Sequence, residues 1–275
     1  MHLPTAIVCG LSALVMPAAC RGPVAASAVP EQSAAAPAQP GTTLVWSDEF
    51  DRDGLPDASR WNQEVGLIRN KEQQYYTRQR AENARIENGV LIIEARKEPY
   101  EGAGYTSASL TSRASWTYGR IEVRAKLPKG RGTWPAIWTL GTSIRDVGWP
   151  ACGEIDIMEH VGFDPGRIHA NIHTRAYNHV QRTNKGNNVP VADADDAFHV
   201  YEANWSPGKI DVLVDGRRYF TFEKEPGGDA VWPFDKPQYL ILNLAIGGGW
   251  GGQKGIDDAA FPARFVVDYV RVYQR

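Results

Sequence analysis

Three acidic side chains lie close together in one short segment, Glu154-Ile155-Asp156-Ile157-Met158-Glu159. A β-strand turns successive side chains to opposite faces, so Glu154 and Asp156 share one face and the isoleucines share the other. Glu159 has the wrong parity for a regular strand. A bulge around Ile157-Met158 would add one residue and return Glu159 to the face of the first two acids. Three acids opposite an apolar face favour acid–base chemistry on a sugar bond.

A retaining hydrolysis needs two carboxyl groups about 5–5.5 Å apart, one as nucleophile and one as acid and base. The two glutamates start roughly 13 Å apart at Cα along a strand, and their long side chains leaning together on a curved, bulged strand could close much of that gap. With Glu154 as the carboxylate, its charge raises the pKa of Glu159 and keeps Glu159 protonated as the acid. A glycosyl ester on Glu154 removes that charge, so the pKa of Glu159 falls and Glu159 serves as base for water. Asp156 is expected to hydrogen-bond Glu154 and hold its orientation. The alternative is a solvated strand face, but like charges at adjacent same-face positions destabilise a strand.

Tryptophans and glycines flank the acidic segment. Trp134 and Trp138 lie upstream in Trp134-Pro135-Ala136-Ile137-Trp138, Trp149 lies closer, and Trp250 interrupts the glycine run 247–252. A rigid indole face suits the C–H face of a pyranose, and glycine lets a backbone approach a ligand closely. We expect these four tryptophans to face a sugar, although core packing is the alternative for any one of them. Four others are expected in the core, namely Trp46, Trp61, Trp205 and Trp232.

The segment His169-Ala170-Asn171-Ile172-His173 alternates polar and apolar residues, which places its three polar side chains on one strand face. We expect one of the two histidines to face the sugar, with a purely structural histidine as the alternative. A zinc site is disfavoured, because no Glu follows the first His and the period is two. Another acidic cluster lacks the spacing of a calcium loop and is expected to be a solvated loop. It consists of Asp193, Asp195 and Asp196.

Short alternating segments separated by turns predict an all-β domain. Asn88-Gly89 and Asp215-Gly216 each separate two apolar runs, which is a strong hairpin signal. The segment 239–246 is apolar on both faces apart from Asn243, as expected for a central strand of two packed sheets. Helical periodicity is nearly absent, and a short turn over 58–63 with Asp57 as N-cap is the best helix candidate. The pattern predicts a sandwich or barrel.

The first residues predict export rather than folded structure. Residues 1–20 resemble a signal peptide, and the ending Ala18-Ala19-Cys20 suggests a lipoprotein site at which Cys20 is acylated and attached to a membrane. Residues 21–42 have the Ala- and Pro-rich composition of a flexible tether, and 43–275 is expected to be one catalytic domain. The expected location is extracellular or periplasmic, free or lipid-anchored to the cell envelope.

Composition excludes two classes of site. Cys152 is the one cysteine outside the leader, so neither an internal disulfide nor a cysteine-based zinc site is available. The 275 residues carry a formal net charge of −2, which gives no indication of a nucleic-acid partner. A monomer acting on a polysaccharide, without a required cofactor, is expected.

The residues quoted above resemble bacterial laminarinases of glycoside hydrolase family 16. The resemblance extends from Asp48-Glu49-Phe50, through the two tryptophan segments and the acidic segment, to 243–248 and 267–273, and so covers about residues 43–275. It implies a jelly-roll β-sandwich of two curved antiparallel sheets with a concave substrate cleft. It also implies retaining endo-hydrolysis of β-1,3-glucan, mixed β-1,3-1,4-glucan included.

The same resemblance implies a role for each matching residue. Glu154 matches the nucleophile, Asp156 the assisting acid and Glu159 the acid/base. The sugar platforms and polar cleft contacts match Trp134, Trp138, Trp149, His173, Arg113, Asn70 and Glu72. A structural calcium on the convex side is implied near Glu49 and Asp268.

One departure from the family pattern concerns an edge of the cleft, where Lys71 stands in a place at which members often carry Asn. Two alternatives to the glucanase interpretation stay open. The same chemistry could act on a red-algal galactan, because agarases and carrageenases share the bulged acid signature, or the chain could bind β-glucan without turnover. Binding relatives typically lose the acids, and here all three are present.

Overall fold

The computed structural model describes Met1 and residues 42–275. Apart from Met1 and Thr42, the predicted leader and tether, with Cys20, lie outside the described residues. The described chain forms β1 (Thr43–Asp48), β2 (Trp61–Gln63), β3 (Gln74–Tyr76), β4 (Ala84–Glu87), β5 (Val90–Tyr100), β6 (Ala103–Ser107), β7 (Ser109–Ser112), β8 (Gly119–Lys126) and β9 (Thr133–Gly141). After helix α1 (Ile144–Val147) come β10 (Glu154–Glu159), β11 (Arg167–His173), β12 (Lys185–Pro190), β13 (His199–Ser206), β14 (Lys209–Val214), β15 (Arg217–Glu223), β16 (Gln238–Ile246) and β17 (Ala263–Gln274). Two 3₁₀ turns cover Gly228–Ala230 and Asp258–Ala260.

The strands form two sheets. The ten-stranded sheet has the order β15-β14-β13-β8-β17-β5-β6-β3, with β1 paired to β17 and β4 to β5. The seven-stranded sheet has the order β12-β11-β10-β9-β16-β7-β2. Strand β10, which carries the three acids, therefore lies inside a sheet with β9 on one side and β11 on the other. The predicted all-β sandwich is confirmed.

The main core lies between the two sheets. Ile155 and Ile157 of β10 are buried in one apolar cluster together with Leu91 of β5 and Phe265 of β17. Full burial of such a side chain contributes roughly 1.5–3 kcal/mol. The apolar positions of β10 are therefore used for packing, which leaves its acidic face free to line a surface. The predicted core tryptophans also belong here, with Trp61, Trp205 and Trp232 buried and Trp46 partly buried against the cluster.

Both predicted hairpins are present. Glu87 pairs with Val90 across Asn88-Gly89, whose φ angles are 55° and 75°. Val214 pairs with Arg217 across Asp215-Gly216, whose φ angles are 49° and 73°. Two consecutive residues with positive φ match the right-handed twist of the flanking strands, which explains why these dipeptides stand there.

The helix predicted over 58–63 is wrong beyond its first turn. The carboxylate of Asp57 accepts a hydrogen bond from the backbone N–H of Ser59 at 2.8 Å, and the Asp57 carbonyl accepts one from Trp61 at 2.9 Å. From Trp61 the chain is extended and pairs with Ser112 of β7, because the indole is buried in the core. Packing therefore overrides the local capping signal. Among the described residues, none of the helices has the length and apolar character needed to cross a bilayer.

Candidate active site

A bulge in β10 places the three acids on one face. Against β9, Asp156 pairs with Trp138 and Met158 with Ile137, so the register shifts by one residue between them. The predicted bulge around Ile157-Met158 is confirmed. Both Ile157 and Met158 are buried in the core, and the extra residue returns Glu159 to the side of the other two acids.

All three acids line a concave cleft of about 1200 Å³ on the open face of the seven-stranded sheet. Strand β11 contributes the polar residues of its alternating segment, since Glu154 lies opposite His173, Asp156 opposite Asn171 and Glu159 opposite His169. The structure brings most of the predicted binding residues to this cleft, namely Asn70, Glu72, Trp134, Trp138, Trp149, His173 and Trp250.

Glu154 is held from two sides. The indole N–H of Trp149 donates to Oε2 of Glu154 at 2.8 Å, and Nε2 of His173 lies 3.7 Å from Oε1. Burial, followed by the neighbouring carboxyl of Asp156, raises the pKa of Glu154 to about 8, whereas His173 and the Trp149 N–H act in the opposite direction. The carboxyl therefore lies in a site that resists ionisation but has donors aimed at the charge once it forms.

Asp156 lies between Glu154 and His173. Its Oδ2 atom is 3.3 Å from Nε2 of His173, and carboxylate oxygens of Asp156 and Glu154 lie within 4.8 Å of each other. Burial raises the pKa of Asp156 well above its ordinary range, and the charge of Glu159 adds to this effect. The ionisation of Asp156 is therefore linked to that of the two neighbouring glutamates.

Glu159 is bonded at both oxygens. The indole N–H of Trp134 donates to Oε1 at 3.0 Å, and the amide of Asn171 donates to Oε2 at 3.3 Å. Burial raises the pKa of Glu159, and these two donors together with His173 partly offset the increase. In both glutamates, therefore, a tryptophan N–H donates to one oxygen of a buried carboxyl group.

The four predicted tryptophan platforms differ in exposure. Trp149 is 36% exposed, and its ring lies 5.8 Å from that of His173 at the Glu154 end of the cleft. Trp134 and Trp250 pack edge-to-face with ring centroids 5.7 Å apart near Glu159. Trp138 is buried, and its N–H donates to Asn243 at 2.7 Å. Trp138 is therefore part of the cleft floor.

The glycine run contacts Trp134. A Cβ atom at Gly251 would lie 2.8 Å from Cβ of Trp134, and one at Gly248 would lie 3.3 Å from its ring. The close approach expected toward a ligand is thus made toward a tryptophan, because small residues here let the loop pack on the ring beside Glu159.

Glu72 and Asn70 form one border of the cleft. Glu72 is buried and accepts hydrogen bonds from Gln74 at 2.7 Å, from Tyr76 at 3.1 Å and from Asn70 at 3.2 Å. Burial raises the pKa of Glu72. The hydrogen bonds to its carboxyl all come from protein side chains, so Glu72 stabilises this border of the cleft. Asn70 is exposed and also lines the cleft. Lys71, at the position that departs from the family pattern, also lines the cleft and is exposed.

Comparison with known proteins agrees with this geometry. The sequence profile of Glycosyl hydrolases family 16 matches residues 71–271. The chain belongs to this family. The chain is 56% identical to a beta-glucanase of Rhodothermus marinus over 246 residues, which cover 86% of each protein. The X-ray structure of the laminarinase from Rhodothermus marinus superposes with a TM-score of 0.83 at 54% identity, covering 85% of this chain and 97% of that one.

A further solved structure is that of a mutant of SCLam, a non-specific endo-beta-1,3(4)-glucanase of the same family, co-crystallized with 1,3-beta-D-cellotriosyl-glucose. It superposes with a TM-score of 0.83 at 49% identity, covering 86% of this chain and 96% of that one. These matches confirm the jelly-roll sandwich predicted for the family 16 chain.

Three residues predicted from the resemblance lie away from the cleft or in other contacts. Arg113 is not among the residues that line the cleft, and its guanidinium donates to the carbonyl of Ala58 at 2.6 Å. The Glu49 carboxylate accepts two bonds from Arg271, at 3.0 and 2.7 Å. Asp268 is paired with Arg124 at 2.7 Å. The carboxylates of Glu49 and Asp268 are thus each paired with a different arginine.

Several cleft residues of the family 16 chain were missed as site residues by the sequence analysis. Asn171 was placed on the correct face by the period-two pattern but was given no role. No sequence pattern indicates a site role for His179, because it lies in the loop between β11 and β12. Its ring is nevertheless 5.0 Å from that of Trp149. Further polar residues of the cleft that were not predicted include Arg69, Asn184 and Asn243.

Proposed function

We propose that this family 16 enzyme cleaves internal β-1,3-glucosidic bonds of laminarin-type glucans with retention, by a double displacement. The observation that carries the proposal is the bulged β10, which places Glu154 and Glu159 on one cleft face with opposed tryptophan donors and with Asp156 against Glu154. The family matches, whose names include a laminarinase and an endo-beta-1,3(4)-glucanase, support this substrate class and extend it to mixed-linkage glucan.

In the first displacement, Glu154 attacks the anomeric carbon while Glu159 protonates the departing glycosidic oxygen. The reactive form of the cluster carries its charge on Glu154 and a proton on Glu159. The Trp149 N–H and His173 stabilise the charge on Glu154, and Asp156 fixes its orientation. The bond between C1 and the leaving oxygen breaks, and a glycosyl ester forms on Glu154.

In the second displacement, Glu159 takes a proton from water, which attacks the anomeric carbon and releases Glu154. Ester formation has removed the negative charge of Glu154, so ionised Glu159 is no longer opposed by it. The Trp134 and Asn171 donors stabilise the ionised form of Glu159 at this stage. Two inversions at one carbon give net retention.

The guanidinium groups of Arg69 and Arg113 are engaged by protein groups, which favours a neutral glucan over a sulfated galactan as substrate. Arg69 is paired with Glu64 and its guanidinium stacks 5.0 Å from the Trp138 ring. Arg113 points to a backbone carbonyl outside the cleft lining. Both arginines are thus engaged by other protein groups.

The deciding experiment measures new reducing ends released by the purified protein from laminarin, lichenan and agarose. NMR of the first product then reports the anomer. We expect laminarin to be cleaved to oligosaccharides of the β-anomer. Cleavage of agarose with none of laminarin would support the galactan alternative, and tight laminarin binding without new ends would support a binding protein.

We also propose that Glu49 and Asp268 serve as ion-pair partners. A calcium ion there would have to share these carboxylates with the guanidinium groups of Arg271 and Arg124, whose positive charge opposes a cation. The donor set therefore does not fit the structural calcium implied by the resemblance, and no step of the mechanism uses a metal.

Export of the protein is proposed from residues 1–20, and membrane attachment through acylated Cys20 is proposed with it. Cell fractionation and mass spectrometry of the mature N-terminus test both statements. A mature chain that begins at acylated Cys20 supports anchoring. One that begins after the small residues Ala26-Ser27-Ala28, an alternative cleavage site, supports free secretion. A chain retained in the cytoplasm with Met1 intact contradicts export.

A further inference from the structure

Asn171 contacts the carboxyl to which the proposed function gives acid–base work. Its amide Nδ2 donates to Oε2 of Glu159 at 3.3 Å, and its Oδ1 accepts from Nδ2 of Asn184 at 2.8 Å. An ionised carboxylate can only accept hydrogen bonds, so the NH₂ of Asn171 must point toward Glu159. The carbonyl oxygen of Asn171 is then left to accept from Asn184. Asn184, Asn171 and Glu159 thus form a chain of hydrogen bonds, called the relay below, in which each amide donates toward Glu159.

Gly186 makes room for this relay. It pairs with Asn171 across β11 and β12. A Cβ atom at Gly186 would lie 2.3 Å from Oδ1 of Asn171 and 2.4 Å from the carbonyl oxygen of Ala170. The φ of Gly186 is not left-handed, so glycine is needed here for the close approach of the Asn171 side chain and not for the backbone conformation.

Asn184 follows a loop that is fixed by hydrogen bonds around buried Asn178. The backbone N–H of Asn178 donates to Oγ1 of Thr183 at 3.1 Å, and the N–H of Thr183 donates to the Asn178 carbonyl at 3.0 Å. The Asn178 side chain donates to the carbonyl of Thr174 at 3.2 Å. This bonding fixes the residue before Asn184 and so keeps its amide at the cleft edge.

We propose that Asn171 is a positioning residue for Glu159, and that Asn184 and Gly186 hold the Asn171 amide in place. The inference rests on the proposed function, in which Glu159 alternates between acid and base. The bond from Asn171 to Glu159 is long, and it strengthens when Glu159 ionises because charge-assisted bonds are shorter and stronger. Asn171 therefore favours the state that exists after proton transfer to the leaving group.

Other charged or titratable groups face Glu159 and stay unchanged in the test. Asp156 and Glu154 share its strand, β11 presents His169 and His173, and β15 presents Tyr219. Burial raises the pKa of Tyr219, with the charge of Glu159 adding to it, so this phenol stays neutral. Burial lowers the pKa of His169 below its ordinary value of 6.5, which favours the neutral ring.

The test compares pH profiles of kcat/KM for Asn171→Ala, Asn184→Ala and wild type. Loss of a donor to ionised Glu159 raises its pKa, so the alkaline limb of Asn171→Ala should move up by about half to one pH unit. Its kcat/KM on laminarin should fall about tenfold. Asn184→Ala should give a smaller shift in the same direction.

Asn188→Ala is the matched control, since this asparagine also lies on the cleft edge but accepts a hydrogen bond from Arg167. The alkaline limb of the pH profile of Asn188→Ala should not move.

A second substrate separates positioning from a general structural defect. An aryl β-laminaribioside with a good leaving group needs little protonation, so glycosylation by Asn171→Ala should be nearly as fast as by wild type. Equal losses on both substrates with an unmoved alkaline limb would overturn the inference. Glu159→Ala tests the proposed function itself. If that variant keeps full activity on laminarin, the acid–base assignment fails, whereas a failure in Asn171→Ala alone concerns only this inference.

Discussion

The indole N–H of Trp149 donates to Oε2 of Glu154 at 2.8 Å, so a tryptophan that lines the cleft also binds the proposed nucleophile. Trp149→Phe keeps an aromatic face but removes this donor. Since a bond to a charged group contributes about 1.5–3 kcal/mol, we expect kcat to fall roughly tenfold or more with little change in KM. Steady-state kinetics on laminarin measure both constants.

Trp149→Ala provides the comparison, because it removes the ring as well as the donor and should also raise KM. A Trp149→Phe enzyme with wild-type kcat would show that the hydrogen bond has no part in turnover.

The two acids of the Glu154–Asp156 pair should differ in their effect on the rate. Glu154→Gln removes the nucleophile and should lower kcat by at least about 10³-fold. Asp156→Asn keeps a polar group beside Glu154 and His173 and should cost only about 10- to 100-fold. Circular dichroism checks that both variants are folded. Equal and small losses would contradict the assigned roles.

The pH dependence of kcat/KM should follow from the buried cluster. Burial and Asp156 raise the pKa of Glu154 to about 8, and burial also raises the pKa of Glu159 above its ordinary value of 4.5. The active form needs Glu154 ionised and Glu159 protonated, so the raised pKa of Glu154 should move the acidic limb of the bell upward and the raised pKa of Glu159 should move the alkaline limb upward, both above pH 4.5. A profile that falls off below pH 5 on both sides would contradict this.

Glu154→Gln should be more stable than wild type, by an amount that increases as the pH rises. The folded-state pKa is raised from 4.5 to about 8, so above pH 4.5 the unfolded chain loses a proton that the folded chain retains. Stability associated with this group is therefore lost progressively between pH 4.5 and about 8. Glu154→Gln has no such loss, and its Tm advantage should be small at pH 4 and largest at pH 8.

Thermal unfolding at pH 4, 6 and 8 measures this difference, with each kcal/mol worth about 2–4 °C in a domain of this size. Glu87→Gln is the control, because this exposed carboxylate is paired with Arg85 and its pKa is lowered. An advantage of Glu154→Gln that does not change with pH would rule out the linkage.

Removal of divalent cations should leave the fold unchanged. Glu49 and Asp268 are neutralised by Arg271 and Arg124, so dialysis against EDTA is expected to alter neither Tm nor the rate on laminarin. A fall in Tm that Ca²⁺ restores and Mg²⁺ does not would instead reveal a calcium site at this surface.

Local patterns alone predicted the acid face of β10. The alternation of acids and isoleucines, broken by one residue, required the bulge at Ile157-Met158 if all three acids were to share a face. The hairpins at Asn88-Gly89 and Asp215-Gly216 were likewise predictable, because positive φ at both positions is a property of the dipeptide itself. The helix predicted after Asp57 is not formed, because Trp61 is buried in the core, and this packing depends on the tertiary structure.

Sequence by itself therefore determined the strand pattern, the acid triad and the family. The tertiary structure decided which side chains reach those acids. The amide of Asn171 donates to Glu159 because β11 pairs with β10 in one particular register. Trp138 forms part of the cleft floor because Asn243, 105 residues away in sequence, accepts its N–H. Arg113 turns from the cleft to the Ala58 carbonyl for the same kind of reason. Such contacts depend on strand register and loop packing between distant segments, and spacing along the chain carries no information about either.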